Sequence, residues 1–198
     1  MLDRLRQVAF LVKDLEEGKE LYRRHLGVET CHSEDLSSYG LKNAVLPAGD
    51  GTFIELLQPT TADSSAARYL ERRGEAPYML IFETSKYDRL IPHLKSLGVR
   101  LTEEPATADY RHCFVHSSSA NGALLEIVEV THPTNPWPSA GPDWQTLTHQ
   151  PLTKQIRQMA VLVRDLDTAV ERWEEMFGIT ATKRFQVSFT DLEIAVLP

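Results

Sequence analysis

The sequence predicts an α+β protein: paired βαβββ modules that form a cupped mixed sheet with helices on its outer face. Three observations predict it. Arg6-Gln7-Val8-Ala9-Phe10-Leu11-Val12-Lys13-Asp14-Leu15 returns as Arg157-Gln158-Met159-Ala160-Val161-Leu162-Val163-Arg164-Asp165-Leu166. The register holds without a gap through Leu26-Gly27-Val28 against Phe177-Gly178-Ile179, and again at Ala44-Val45-Leu46-Pro47 against Ala195-Val196-Leu197-Pro198. A weaker copy lies between them, opening at Tyr78-Met79-Leu80-Ile81-Phe82 and passing through Leu97-Gly98-Val99. In each copy a β-forming run gives way to a helical pattern, so each repeat reads as one supersecondary unit.

Residues 6–12 read as a strand. Asp14 and Glu17 then have the spacing of a capping box, which predicts a helix from Leu15 to about Leu26 that ends at Gly27. Strands are expected near 29–36, 41–47 and 52–58, with Asp50-Gly51 as a hairpin turn. A connecting helix is expected over 63–73. In the second unit a helix capped between Ser85 and Asp88 carries the apolar stripe Tyr87, Leu90, Ile91, Leu94, Leu97, and Pro92 should kink it. Strands near 99–103, 111–117 and 122–130 complete that unit. Five prolines from Pro133 to Pro151 mark a semi-rigid linker, with Trp137 and Trp144 expected to anchor it to a domain. The third unit is expected as a strand at 156–163, a helix at 166–177 and strands near 180–188 and 191–197.

The domain division that follows is residues 1–130 as a complete two-module domain, 131–152 as a Pro/Trp-rich linker, and 153–198 as a partial second domain. The last unit stops before its final strand, which would leave an open edge. A longer parent chain, or a homodimer in which half-units pair, is therefore expected. The net charge of −7 argues against non-specific nucleic-acid binding, which needs a basic face. The apolar run Val8 to Val12 is too short for a signal peptide or a membrane span, so no membrane association and a cytoplasmic location are the default expectation. Cys31 and Cys113 have no metal-type spacing and are read as buried thiols.

Strand alternation sorts these residues into two faces. Val8, Phe10, Val12, Ile54 and Leu56 fall on the helix side. Gln7, Ala9 and Leu11 fall on the other, with Phe53, Glu55 and Leu57, with Met79 and Ile81, and with Leu124, Glu126 and Val128. A carboxylate inside an apolar strand, twice at matching positions, is costly unless it is partnered or used. Gln7, Glu55, Met79 and Glu126 are expected to converge inside the cup. His112 and His116 lie four residues apart on one strand, roughly 13 Å, too far to chelate one ion. The histidines are read as surface or turn residues.

With these residues on these strands, the paired units resemble the vicinal-oxygen-chelate superfamily, which includes the glyoxalases, extradiol dioxygenases and bleomycin-resistance proteins. Within it the chain resembles the methylmalonyl-CoA epimerases. The resemblance rests on Val12-Lys13-Asp14-Leu15-Glu16-Glu17, Ile54-Glu55-Leu56-Leu57-Gln58-Pro59, Tyr69-Leu70-Glu71-Arg72-Arg73-Gly74-Glu75 and Leu125-Glu126-Ile127-Val128-Glu129. It implies a divalent metal held by one side chain on the first and one on the last strand of each module. Here those positions carry Gln7, Glu55, Met79 and Glu126. The epimerases usually have His at both first-strand positions. Gln7, Glu55 and Glu126 are the metal-ligand candidates, and Met79 is a thioether poorly suited to such a metal. The expectation is a small-molecule-binding protein for an organic acid or acyl thioester, with no cofactor or a weakly bound divalent metal and without epimerase activity. Gln7, Leu11, Phe53, Met79 and Leu124 are expected to contact the ligand. The alternative is a metal-dependent isomerase or lyase working by enolisation, with Glu126 or Glu55 as the catalytic carboxylate.

Overall fold

The computed structural model describes residues 1–147 and 149–198. Eight strands form one mixed sheet: β1 (Arg4–Leu11), β2 (Asp35–Leu36), β3 (Leu41–Gly49), β4 (Thr52–Pro59), β5 (Ala76–Glu83), β6 (Leu101–Glu103), β7 (Tyr110–Val115) and β8 (Leu124–Val130). Their order is β2-β3-β4-β1-β5-β8-β7-β6. Each module pairs its first and last strands in parallel, β1 with β4 and β5 with β8. The modules join through antiparallel β1 and β5, where Gln7 faces Ile81 and Ala9 faces Met79. The paired-module architecture is as predicted.

The helices form where local signals place them. In α1 (Leu15–Leu26) the Asp14 carboxylate accepts from the Glu17 backbone N–H at 2.9 Å, and Gly27 closes the helix at φ 66°. Helix α2 (Ser65–Arg73) is capped by Ser64. Helix α3 (Tyr87–Ser96) runs through Pro92 without ending. Ser85 does not cap it; the hydroxyl of Thr84 accepts from the Lys86 N–H instead. Between the sheet and α3 lie Leu80, Leu90, Ile91, Leu94, Val115, Leu125 and Ile127, all buried. Val12, Leu15, Leu46, Ile54 and Leu56 do the same beneath α1.

The third unit departs from its pattern in one place. Helix α4 (Leu166–Phe177) is as predicted, with Asp165 accepting from Thr168 N–H and Gly178 at φ 67°. A hairpin of β9 (Lys183–Gln186) and β10 (Glu193–Val196) follows. Residues 156–163 form no strand, although they repeat β1 almost residue for residue. Strand structure needs a partner, and β1 has two, β4 and β5. The copy has neither, so its apolar residues Ile156, Met159 and Val161 pack on the α3 core instead. Helix α4 joins the same cluster through Trp173, Met176 and Phe177. Three hydrogen bonds lead into it: Leu152 N–H to Leu26 O at 2.7 Å, the Thr153 hydroxyl to Ala48 O, and Ile156 N–H to the Thr52 hydroxyl. A β-carbon on Gly49 would lie 2.1 Å from the Lys154 carbonyl, so only glycine admits this path. The N-terminal ammonium donates to Phe177 O at 2.7 Å.

Candidate functional site

The concave face of the sheet encloses a cavity of about 690 Å³ between the two modules. Gln7, Glu55, Met79, Leu124 and Glu126 all line it, as alternation predicts. The ladder explains why. Ala9 pairs with Glu55 and with Met79, Met79 pairs with Leu124, and Ile81 pairs with Glu126. Residues in register across a sheet point to one face. Leu11 and Phe53 share that face but do not reach the cavity. Leu11 is covered by Leu41, Leu57 and Ala66, because α2 folds over that end of the cup. Phe53 is covered by Trp137, stacked at 6.4 Å and 14°, and by Trp144, edge-on at 5.0 Å. Neither is placed to touch a ligand.

The linker thus forms one wall of the site. Asn135 shapes it by accepting from Trp137 N–H and the Trp144 indole and donating to Gly141 O. A bulge in β1, where Leu5 and Gln7 oppose consecutive residues of β5, turns Arg6 toward this strap. Its guanidinium lies 5.0 Å from the Trp137 ring, donates to Pro136 O at 2.9 Å, and sits 3.5 Å from Glu83. Burial pushes the Arg6 guanidinium down to about 10, and Glu83 pulls it back up. Trp137 is wholly buried, and its indole N–H donates to Gln7 Oε1 at 2.8 Å. The anchoring role expected of Trp137 and Trp144 is present, and Trp137 reaches further, into the site itself.

From Trp137 the hydrogen bonds continue. Gln7 Nε2 donates to Glu55 Oε2 at 3.0 Å, and Asn43 Nδ2 donates to Glu55 Oε1 at 2.7 Å. Asn43 Oδ1 accepts from the Glu34 backbone N–H, which fixes its amide. Burial pushes the Glu55 carboxyl up to about 7, Asn43 opposes the shift, Glu126 across the cup adds to it, and Gln7 opposes it. The sequence did not reveal His112. Its Nδ1 lies 2.7 Å from Glu126 Oε1, both side chains are nearly buried, and both line the cavity. His112 is therefore neither a surface nor a turn residue. It sits on β7, where the register pairs Phe114 with Glu126 and His112 with Val128, so the histidine is the diagonal neighbour of the carboxylate. Extending the alternation to residues 110–115 would have found it.

These donors do not fit a divalent metal as arranged. Gln7 Oε1 is taken by an indole N–H, both Glu55 oxygens are taken by amides, and Glu126 is bonded to His112. Met79 adds only a soft thioether. Among the described residues no three His, Cys, Asp or Glu side chains are grouped to hold an ion.

Comparisons with known proteins agree with the fold. The family model for a glyoxalase-like domain matches residues 8–177. The ethylmalonyl-CoA/methylmalonyl-CoA epimerase of Cereibacter sphaeroides is 30% identical over 135 residues, 66% of this chain and 100% of that one. The methylmalonyl-CoA epimerase structure from Mycobacterium tuberculosis is 34% identical with a TM-score of 0.59, over 65% of this chain and 88% of that one. The Streptomyces coelicolor methylmalonyl-CoA epimerase bound to 2-nitronate-propionyl-CoA gives 28% and 0.60, over 65% and 98%. With its paired modules and matched family model, the chain belongs to the glyoxalase-like domain family of the vicinal-oxygen-chelate superfamily and resembles methylmalonyl-CoA epimerase.

Proposed function

We propose that this protein binds an acyl thioester, or the corresponding organic acid, in the cup between its modules, and does so without a divalent metal. The observation that carries the reading is the closed chain Trp137 to Gln7 to Glu55, met from the other side by Asn43. The first-strand positions offer a metal only the Gln7 amide, whose oxygen is turned to the Trp137 indole, and the soft thioether of Met79, an incomplete donor set. The ligand class is supported by the epimerase relatives, one of them bound to 2-nitronate-propionyl-CoA. Within that class the cup favours a neutral acyl group over a free carboxylate. Glu34, Glu55, Glu104 and Glu126 line it against one arginine, Arg68.

Epimerisation is not part of the proposal. Among the described residues no helix is long and apolar enough to cross a membrane. The test is calorimetric titration with propionyl-CoA and methylmalonyl-CoA in EDTA. Saturable binding is expected, at least as tight for propionyl-CoA. Binding seen only after Co²⁺ or Ni²⁺ is added would overturn the reading.

A further inference from the structure

We infer that the end of the cup lined by Tyr39, Tyr110 and Phe114 is a binding site for an organic cation, a quaternary ammonium group held against aromatic rings. The inference goes beyond the thioester reading and stands without it. Elements from both modules build the site. Pleating gives Tyr110, His112 and Phe114 of β7 one face, and all three line the cavity. Tyr39 meets them from the first module, out of the 3₁₀ turn Ser37–Tyr39 between β2 and β3. The rings touch edge-to-face in a row: Tyr110 with His112 at 5.3 Å, His112 with Phe114 at 5.5 Å, and Phe114 with Tyr39 at 6.0 Å. Four rings in contact make an apolar wall whose π-electrons favour a cation over a neutral or anionic group.

Acidic side chains stand around this wall. Burial pushes the Tyr39 phenol up to about 12, and Glu104 and Glu126 add to the shift. Burial raises Tyr110 as well, and Glu126 and Glu34 add to it. Among the described residues that line the cavity, Arg68 alone is a lysine or arginine, and it donates back to Asp63 O and the Ser65 hydroxyl. The rings and the charge together select the ligand class. A metal ion needs lone-pair donors, which ring faces do not offer. A primary ammonium is strongly hydrated and brings three N–H donors that each need an acceptor. A quaternary ammonium has no N–H to satisfy, and its charge is spread over methyl groups that pack on rings. The carboxylates around it supply the opposite charge.

Choline and 3,3-dimethylbutan-1-ol have the same shape and differ in charge, so the pair isolates the cation. Each is titrated calorimetrically into the full chain in EDTA. Choline should bind saturably, and the neutral alcohol at least about tenfold more weakly, the usual worth of a cation held on aromatic rings. Tyr39→Leu and Phe114→Leu should each lower choline affinity by at least about threefold, while Tyr39→Phe, which keeps the ring, should stay within about twofold of the native protein. In the wild-type protein, nuclear Overhauser effects should run from the N-methyl protons of choline to ring protons of Tyr39, Tyr110 and Phe114, a readout that needs no variant to fold. Absence of saturable choline binding, equal binding of the two probes, affinity unchanged in both leucine variants, or Overhauser effects confined to other residues would each overturn the inference. Propionyl-CoA titrated into the same protein tests the thioester reading separately, so the failure of either probe is assigned to its own reading.

Discussion

Replacing Trp137 by phenylalanine removes one hydrogen-bond donor from the strap and leaves an aromatic ring on Phe53. In the native protein the indole N–H is 2.8 Å from Gln7 Oε1, and Gln7 is 2% exposed. The carbonyl left behind is a buried acceptor that has lost its donor. An unpartnered buried acceptor costs about 1–3 kcal/mol. The smaller ring also weakens the contact with Arg6, now 5.0 Å away, by about 0.5–1 kcal/mol. Urea unfolding of Trp137→Phe should therefore show a loss of about 1.5–4 kcal/mol. A double-mutant cycle with Gln7→Leu isolates the hydrogen bond, because a leucine side chain at that position has no carbonyl to strand. Trp137→Phe should cost about 1 kcal/mol less in the Gln7→Leu background than in the native one. Strict additivity would show that the indole and the amide do not interact in solution, and the closed-network account of the site would fall.

Three further outcomes follow from the same contacts. Met79→His alone should raise Co²⁺ affinity little, because Gln7 and Glu55 stay engaged. Combined with Trp137→Phe it should raise affinity by at least about tenfold over the single variant, read from the Co²⁺ visible bands; equal affinities would show that the strap does not block the site. Glu55 has an ordinary value of 4.5 and is pushed up to about 7 in the fold, so between these the folded state binds more protons than the unfolded one. Its stabilising contribution is full below 4.5 and lost as pH rises through 7, on the order of 3 kcal/mol; that falling limb should vanish in Glu55→Gln, and a flat wild-type profile over this window would contradict it. Phe177→Ala empties a fully buried position and should cost about 3–5 kcal/mol in a single transition shared with the eight-stranded sheet. A separate, earlier transition for residues 153–198 would show that α4 folds as an independent unit.

What the sequence revealed was mostly local or strictly periodic. Asp14, Glu17 and Gly27 bound α1, and Asp165 and Gly178 bound α4, through bonds within one turn of each helix end. Alternation placed Gln7, Glu55, Met79, Leu124 and Glu126 on one face because pleating has a period of two and the ladder through the cup residues is regular. Three features escaped it. Arg6 turns toward the strap only because of a bulge, and a bulge depends on the partner strand. Trp137 meets Gln7 across 130 positions of chain, which no local pattern encodes. The covering of Leu11 and Phe53 was the third, because alternation says which face a side chain takes but not what packs over that face.

The segment 156–163 carries the same lesson furthest. Its sequence is that of a central strand, and in β1 almost the same residues lie between two ladders. Without ladders, an extended run has only its apolar side chains to place. Ile156, Met159 and Val161 set them on the helical face of the second module, and they bring α4 with them. Trp173, Met176 and Phe177 then bury against a core that already contains Leu90, Leu94 and Ile127. That burial fastens α4 to the second module and does little for the β9–β10 hairpin, where Phe189 is 87% exposed. The repeat therefore sets the helix and the turn of its third copy, while the fate of the opening strand is decided by which edges the rest of the chain leaves open.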